Sequence, residues 1–254
     1  MPVELTLTPE TRGRLSVYPV ECVRRFGVDA FVTDRFAGVS PEPYDSLNLA
    51  GHVGDTFDHV AENRRRVADA AGVSLEQLVI IHQVHGREVL VVDQVPVDGE
   101  ADALVSSSSG LCLAILVADC VPVLLVDEAS PKFGVVHAGW RGLHAGVLAS
   151  AVAHFDDPST VHAFIGPSIS VEGYQIGPEV AKYFDEVPGA VYPDGGDRSR
   201  LDLRHVTTTQ LSELGLGDAH VMLSRQTTDG GETFFSDRAA RPCGRFALVA
   251  KRAS

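Results

Sequence analysis

The chain predicts a mixed α/β architecture in which sheets are covered by helices. Three observations predict it. Short apolar runs bounded by turn residues, such as 133–136 and Val161–Ile165, read as buried strands. Two stretches, Phe57–Ala71 and 142–155, carry apolar residues at helical spacing. The two kinds of segment mix without the strict alternation of a regular Rossmann wind.

The 254 residues suit one large domain. We expect a weakly patterned, partly loose lead-in over residues 1–26 and a single domain over 27–254. A hydrophobic content of 44% supports a real core. The formal charge of −13 repels nucleic acid and anionic lipid. It leaves room for a small anionic substrate in a local basic pocket. The four cysteines, Cys22, Cys112, Cys120 and Cys243, form no C-x-x-C pair, which fits a reducing cytoplasm. The first fifteen residues lack the apolar core of a signal peptide, and no run has bilayer-spanning length.

In chain order, Val28–Thr33 reads as a strand. Residues 34–49 form a Gly/Pro/Ser/Asn-rich loop of the length often found at functional sites. Asp55 or Thr56 caps a helix over Phe57–Ala71, where Val60, Val67 and Ala71 share a face and Gly72 stops it. Arg64, Arg65 and Arg66 on that helix read as a solvated face, the alternative being that one of them turns inward to hold an anion. Residues 78–81 and 88–93 are strands around His82-Gln83-Val84-His85-Gly86, and 102–105 is another. The run 111–126, interrupted at Asp119 and Pro122, is two strands or one bulged strand. Residues 142–155 are the clearest helix. Val161–Ile165 is a strand, Pro178 opens a short helix, and 187–200 is an irregular loop. A helix over 204–214 and strands over 220–223 and 245–250 complete the chain.

The chemistry concentrates where strands end. Cys120 follows one apolar run and His137 ends another. A lone cysteine is most often a buried core thiol. Here it accompanies histidines on separate buried segments, and zinc takes sulfur and imidazole nitrogen, with catalytic sites using three protein ligands plus water. One of His82 and His85 completes the set. Their odd spacing sends them to opposite faces of an extended segment, and Gly86 leaves space beside His85. His144, His154, His162, His205 and His220 read as surface or helix residues, with His144 a minor candidate for lining the pocket. Arg141, in Gly-Trp-Arg-Gly at a helix start, is the first candidate for holding phosphate, followed by Arg35 and Arg64. Ser40 and Asn48 on the long loop are candidates for contacting ribose or base. Asp119 reads as structural, since its side chain points away from that of Cys120 in a strand. Trp140 reads as packing. A copper centre needs a weak axial ligand, and a laccase needs further clustered histidines; the chain has two Met and no His-x-His.

Gln83-Val84-His85-Gly86, Ala118-Asp119-Cys120-Val121-Pro122-Val123-Leu124 and Val136-His137-Ala138-Gly139-Trp140-Arg141-Gly142 resemble three signatures of the YfiH-like family, also called the polyphenol oxidase or laccase-domain family and the purine nucleoside phosphorylase family. Thr33-Asp34-Arg35, Ser46-Leu47-Asn48-Leu49, Glu62-Asn63-Arg64, Ile165-Gly166-Pro167 and Phe234-Phe235-Ser236 extend the resemblance over nearly the whole chain. It implies a layered α/β/β/α sandwich with mixed sheets (CNF/YfiH-like), shared with a bacterial toxin deamidase. It implies zinc on His85, Cys120 and His137, with phosphorolysis of adenosine, inosine, guanosine and methylthioadenosine and deamination of adenosine. The partners implied are a nucleoside and phosphate, with no nucleic acid and no membrane. Some members carry the alternative description of copper polyphenol oxidase, others that of an amide hydrolase in peptidoglycan precursor editing. Ala37 stands where the family usually has Gly, Gln175 where it has Glu, and Asp237 and Ala239 where aromatic and Arg residues are common.

Overall fold

The computed structural model describes residues 2–97 and 99–253. Two sheets lie face to face. One has seven strands in the order Val3–Leu5, Val221–Ser224, Val161–Ile165, Val121–Asp127, Phe133–Ala138, Ala103–Ser106, Val89–Val91. The other has six, in the order Glu10–Arg12, Leu15–Pro19, Val28–Thr33, Phe246–Arg252, Cys112–Val117, Leu78–Ile80. Both are mixed: Val161–Ile165 runs parallel to Val221–Ser224 and antiparallel to Val121–Asp127.

Side-chain alternation explains the layering. Leu113, Ile115 and Val117 enter the core between the sheets, where they meet Leu124, Val126, Phe133 and Val135 of the seven-stranded sheet. Their neighbours Cys112, Ala114 and Leu116 face outward and pack under Val67, Ala68 and Ala71 of the helix Phe57–Ala71. On the far side Val121, Val123 and Leu125 pack under the helices Trp140–Ala145, Val147–Val152 and Leu203–Glu213. Strands covered on both faces have no polar side, so they read as unbroken apolar runs. The result is the α/β/β/α order expected.

Several local expectations change. Residues 3–26 are not loose: they hold three strands and a 3-10 turn, Glu21–Phe26. The helix expected over 142–155 is two helices, Trp140–Ala145 and Val147–Val152, separated by Gly146 at φ 87°. That left-handed residue ends one helix and caps the next. The loop expected over 187–200 contains the strands Val191–Pro193 and Ser199–Leu201, which join Gln175–Ile176 in a small third sheet. The broken run 111–126 is two strands, and they belong to different sheets. Thr56, not Asp55, caps the helix Phe57–Ala71, its side chain accepting the His59 N–H. Among the described residues no helix is long and apolar enough to cross a membrane.

The long loop over 34–49 is held by buried amides. Asn63, fully buried on the helix, accepts the Val39 N–H and donates to Ser40 Oγ and to the carbonyls of Ser46 and Asn48. Buried amides need such partners, and here they fix the loop against the helix. Ala37 in that loop has φ 61°, which is glycine territory.

Candidate functional site

The crossover between sheets builds the site. Cys112–Val117 ends in one sheet and Val121–Asp127 begins in the other, so residues 118–120 pass between layers. Asp119 makes the turn at φ 90°. Its carboxylate accepts the Thr228 hydroxyl at 2.6 Å and the Arg238 N–H at 2.7 Å, fixing the corner that presents Cys120.

His85 sits on a loop clamped at two points. The Gln83 amide pairs both ways with Leu116, at 2.8 Å each. The Asp102 carboxylate accepts the N–H groups of Val84, His85 and Gly86. His85 itself has φ 59°, a strained region that persists only where surroundings enforce it. His137 lies on Phe133–Ala138, with its Nδ1 2.7 Å from Asp102 Oδ1.

These elements bring one ligand atom each of His85, Cys120 and His137 within 4.8 Å of one another. The two imidazole rings meet edge-on, centroids 4.7 Å apart. Gly139 makes room for them: a Cβ there would lie 2.9 Å from Cys120 Sγ and 3.2 Å from His85 Cδ2. Burial works against a Cys120 thiolate, but His137 and His85 outweigh it and hold the thiol below its ordinary value. Burial also disfavours charge on His137, yet Cys120 and Asp102 raise it. The burial of Asp102 is likewise outweighed by His137 and the backbone N–H groups, which hold its carboxyl low.

The three residues open into a cavity of about 810 Å³. Arg141 and Arg64 line it. Of the three successive arginines, Arg65 and Arg66 pair with Glu62, while Arg64 turns inward with Nε on the Leu49 carbonyl at 2.9 Å. Arg35, Ser40 and Asn48 do not line it. Arg35 pairs with Asp45 at 3.0 Å and lies over Phe235. Ser40 and Asn48 both donate to Asp55. His82 lines the cavity but its Nδ1 meets Glu100 at 3.3 Å. His144 packs on Tyr183 away from the cavity lining. His162, expected at the surface or on a helix, lies on the strand Val161–Ile165, is 2% exposed, bonded to Glu128 and stacked on His220.

Sequence reasoning missed Asp102, Gly139, Tyr174, Arg238 and Arg245. Asp102 carried a signal: a carboxylate opening an apolar strand is buried and must find partners. Arg238 carried none, because only the fold brings it to the cavity.

Residues 29–253 match the family described as multi-copper polyphenol oxidoreductase laccase. A purine nucleoside phosphorylase YfiH of Shigella flexneri is 40% identical over 231 residues, covering 87% of this chain and 92% of the relative. A purine nucleoside phosphorylase of Corynebacterium glutamicum is 38% identical over 226 residues, covering 85% and 91%. The crystal structure of YlmD from Geobacillus stearothermophilus superposes with a TM-score of 0.90 at 30% identity, covering 98% of this chain and 99% of that one. YfiH of Bacillus licheniformis gives 0.88 at 27%, covering 96% and 98%. With its three signatures gathered at one cavity and its layers shared with these structures, the chain belongs to the YfiH-like family.

Proposed function

We propose that the protein is a zinc-dependent purine nucleoside phosphorylase that also deaminates adenosine, with adenosine, inosine, guanosine and methylthioadenosine as substrates. The observation that carries this reading is the convergence of His85, Cys120 and His137 on one cavity, in a chain whose relatives are named purine nucleoside phosphorylases. Two imidazoles and a thiolate are a donor set that zinc accepts, and three protein ligands leave a position open. When bound, zinc supplies Lewis acidity and a lowered water pKa.

The chain's own residues do the rest. Asp102 engages His137 at Nδ1, which fixes the ring and leaves Nε2 for the centre. Arg141 and Arg64 offer guanidinium groups to phosphate. Tyr174 and Trp140 supply flat walls beside them. Asp119, whose carboxylate is fully engaged by Thr228 and Arg238, positions Cys120 rather than moving protons.

The matched family's description favours a second reading, a copper polyphenol oxidase. The donor set argues against it. Multicopper chemistry needs several clustered histidine sites, and among the described residues this triad is the one such group. Incubating adenosine with and without phosphate tests the proposal. Adenine released only with phosphate, and inosine formed either way, support it. No turnover, with release of alanine or serine from a cell-wall precursor, supports amide hydrolysis instead.

A further inference from the structure

Among the described residues four histidines line the cavity: His52, His82, His85 and His137. His85 and His137 belong to the triad, and His82 is paired with Glu100. His52 makes no hydrogen bond, ion pair or ring contact with any described residue. The two aspartates of the cavity are both engaged. Asp119 accepts from Thr228 and the Arg238 N–H, and Asp237 pairs with Arg241 and Arg245. His52 is therefore the uncommitted side chain of this lining that exchanges protons near neutral pH.

The fold fixes His52 from both sides. It sits at the centre of the 3-10 turn Gly51–Val53. Before the turn, the buried Asn48 amide accepts the Ala50 N–H and donates to the Ala50 carbonyl, each at 3.0 Å. After it, the Tyr44 hydroxyl donates to the Val53 carbonyl at 2.7 Å, and Gly54 turns the chain at φ 106°. A Cβ on Gly54 would lie 2.7 Å from Tyr44 Oη, so both the turn and the packing demand glycine. Burial, then Arg245, His82, His85 and Arg64, lower His52 from its ordinary value of 6.5. The ring is neutral at pH 7, with one nitrogen a donor and the other an acceptor. Arg64 is near enough to act on that ring, and its Nε holds the Leu49 carbonyl three residues earlier. A phosphate at Arg64 thus sits next to His52.

We propose that His52 carries the proton of phosphorolysis, taking it from hydrogenphosphate held at Arg64 and giving its own N–H proton to N7 of the departing purine. This rests on the phosphorylase reading and supplies the proton carrier that reading needs. A phosphate oxygen forms a bond to ribose C1′, and the C1′–N9 bond breaks with its electron pair going to the base. Adenine leaves in its N7–H form, and the hydrogenphosphate, having lost its proton, becomes the phosphate ester. One nitrogen of His52 releases a proton as the other receives one, so the ring ends neutral in its other tautomer. Deamination leaves the C1′–N9 bond intact and does not call on this relay.

Initial rates of adenosine conversion by the metal-loaded protein in saturating inorganic phosphate test this. Adenine counts as phosphorolysis, inosine plus hypoxanthine as deamination. His52→Gln should lower kcat for phosphorolysis about 100-fold, the scale of a positioned acid–base group, with little change in KM for phosphate. The ratio of phosphorolysis to deamination should fall by a similar factor, with zinc content as in the wild type. 7-Deazaadenosine, which has carbon in place of N7, should give a similarly low ratio in the wild type, and His52→Gln should not lower it further. An unchanged ratio in His52→Gln overturns the proposal, as does equal loss of both activities, which a merely structural role would produce. If the variant fails to fold, the wild type with 7-deazaadenosine decides: base release about 100-fold slower than from adenosine supports the relay, and equal release overturns it. Absence of phosphate-dependent adenine in the wild type is a separate failure, in which the phosphorylase reading falls first and the relay with it.

Discussion

Asp102 and His137 form the contact on which the site's geometry turns: Oδ1 lies 2.7 Å from Nδ1, and both side chains are buried. The same carboxylate accepts three backbone N–H groups from the His85 loop. One acid thus orients two proposed ligands. Asp102→Asn keeps the shape but puts an amide donor against either the imidazole or the loop. Metal affinity should fall about 10- to 100-fold. Unfolding free energy should drop by about 1–3 kcal/mol, as expected for a buried group left unpaired. Metal-buffered titration and urea unfolding check both.

Gly139 is a packing constraint on the same centre. A methyl group 2.9 Å from Cys120 Sγ and 3.2 Å from His85 Cδ2 forces the thiol or the ring to move. Gly139→Ala should lose bound metal while costing about 1–3 kcal/mol of stability, the usual range for overpacking. Elemental analysis beside a thermal melt separates the two effects. Metal retained in full by a folded variant would show that the triad tolerates the shift.

Ala37 pays a conformational penalty that the usual family glycine avoids, since its φ is 61°. Ala37→Gly should raise the melting temperature, reflecting relief of about 1 kcal/mol of left-handed strain. Gly38 next to it should tolerate nothing larger, because a Cβ there would lie 2.0 Å from the Ser46 carbonyl oxygen. Differential scanning calorimetry of the two single variants should give shifts of opposite sign.

Asp55 makes stability depend on pH. Burial opposes its charge, but hydrogen bonds from Asn48, Ser40, the Thr56 N–H and His59 hold its carboxyl below the ordinary value of 3.8. Its side chain is 1% exposed. A carboxyl depressed by folding contributes stability that is fully present above the unfolded value. That contribution is lost as pH falls from about 4 toward the lower folded value. Asp55→Asn should therefore be less stable than wild type by about 1–3 kcal/mol at pH 7. The gap should narrow below pH of about 4. Urea unfolding across pH 3–7 reads this directly; a gap independent of pH would mean that charge is not what Asp55 contributes.

What the sequence made legible follows from physics that acts locally. Apolar runs such as Phe133–Ala138 announce buried strands, and Gly72 announces the end of the helix before it. Cys120 and His137 were legible because chemistry-bearing residues at strand ends are conspicuous. The length of residues 142–155 hid the break at Gly146, since an apolar stripe runs through both helices. Strands such as Ser199–Leu201 lie in polar sequence and owe their form to pairing partners distant in the chain. Ser40 and Asn48 looked available for substrate; their partner Asp55 is what removes them. Arg238 reaches the cavity through tertiary folding alone, which no local pattern encodes.

His85, Cys120 and His137 are proposed to hold one metal ion. Elemental analysis of protein purified without added metal, beside His85→Ala, Cys120→Ala and His137→Ala, tests it most directly. About one zinc per chain is expected in the wild type and close to none in each folded variant. Wild-type protein carrying mainly copper, or any of the three variants retaining its zinc in full, would contradict it.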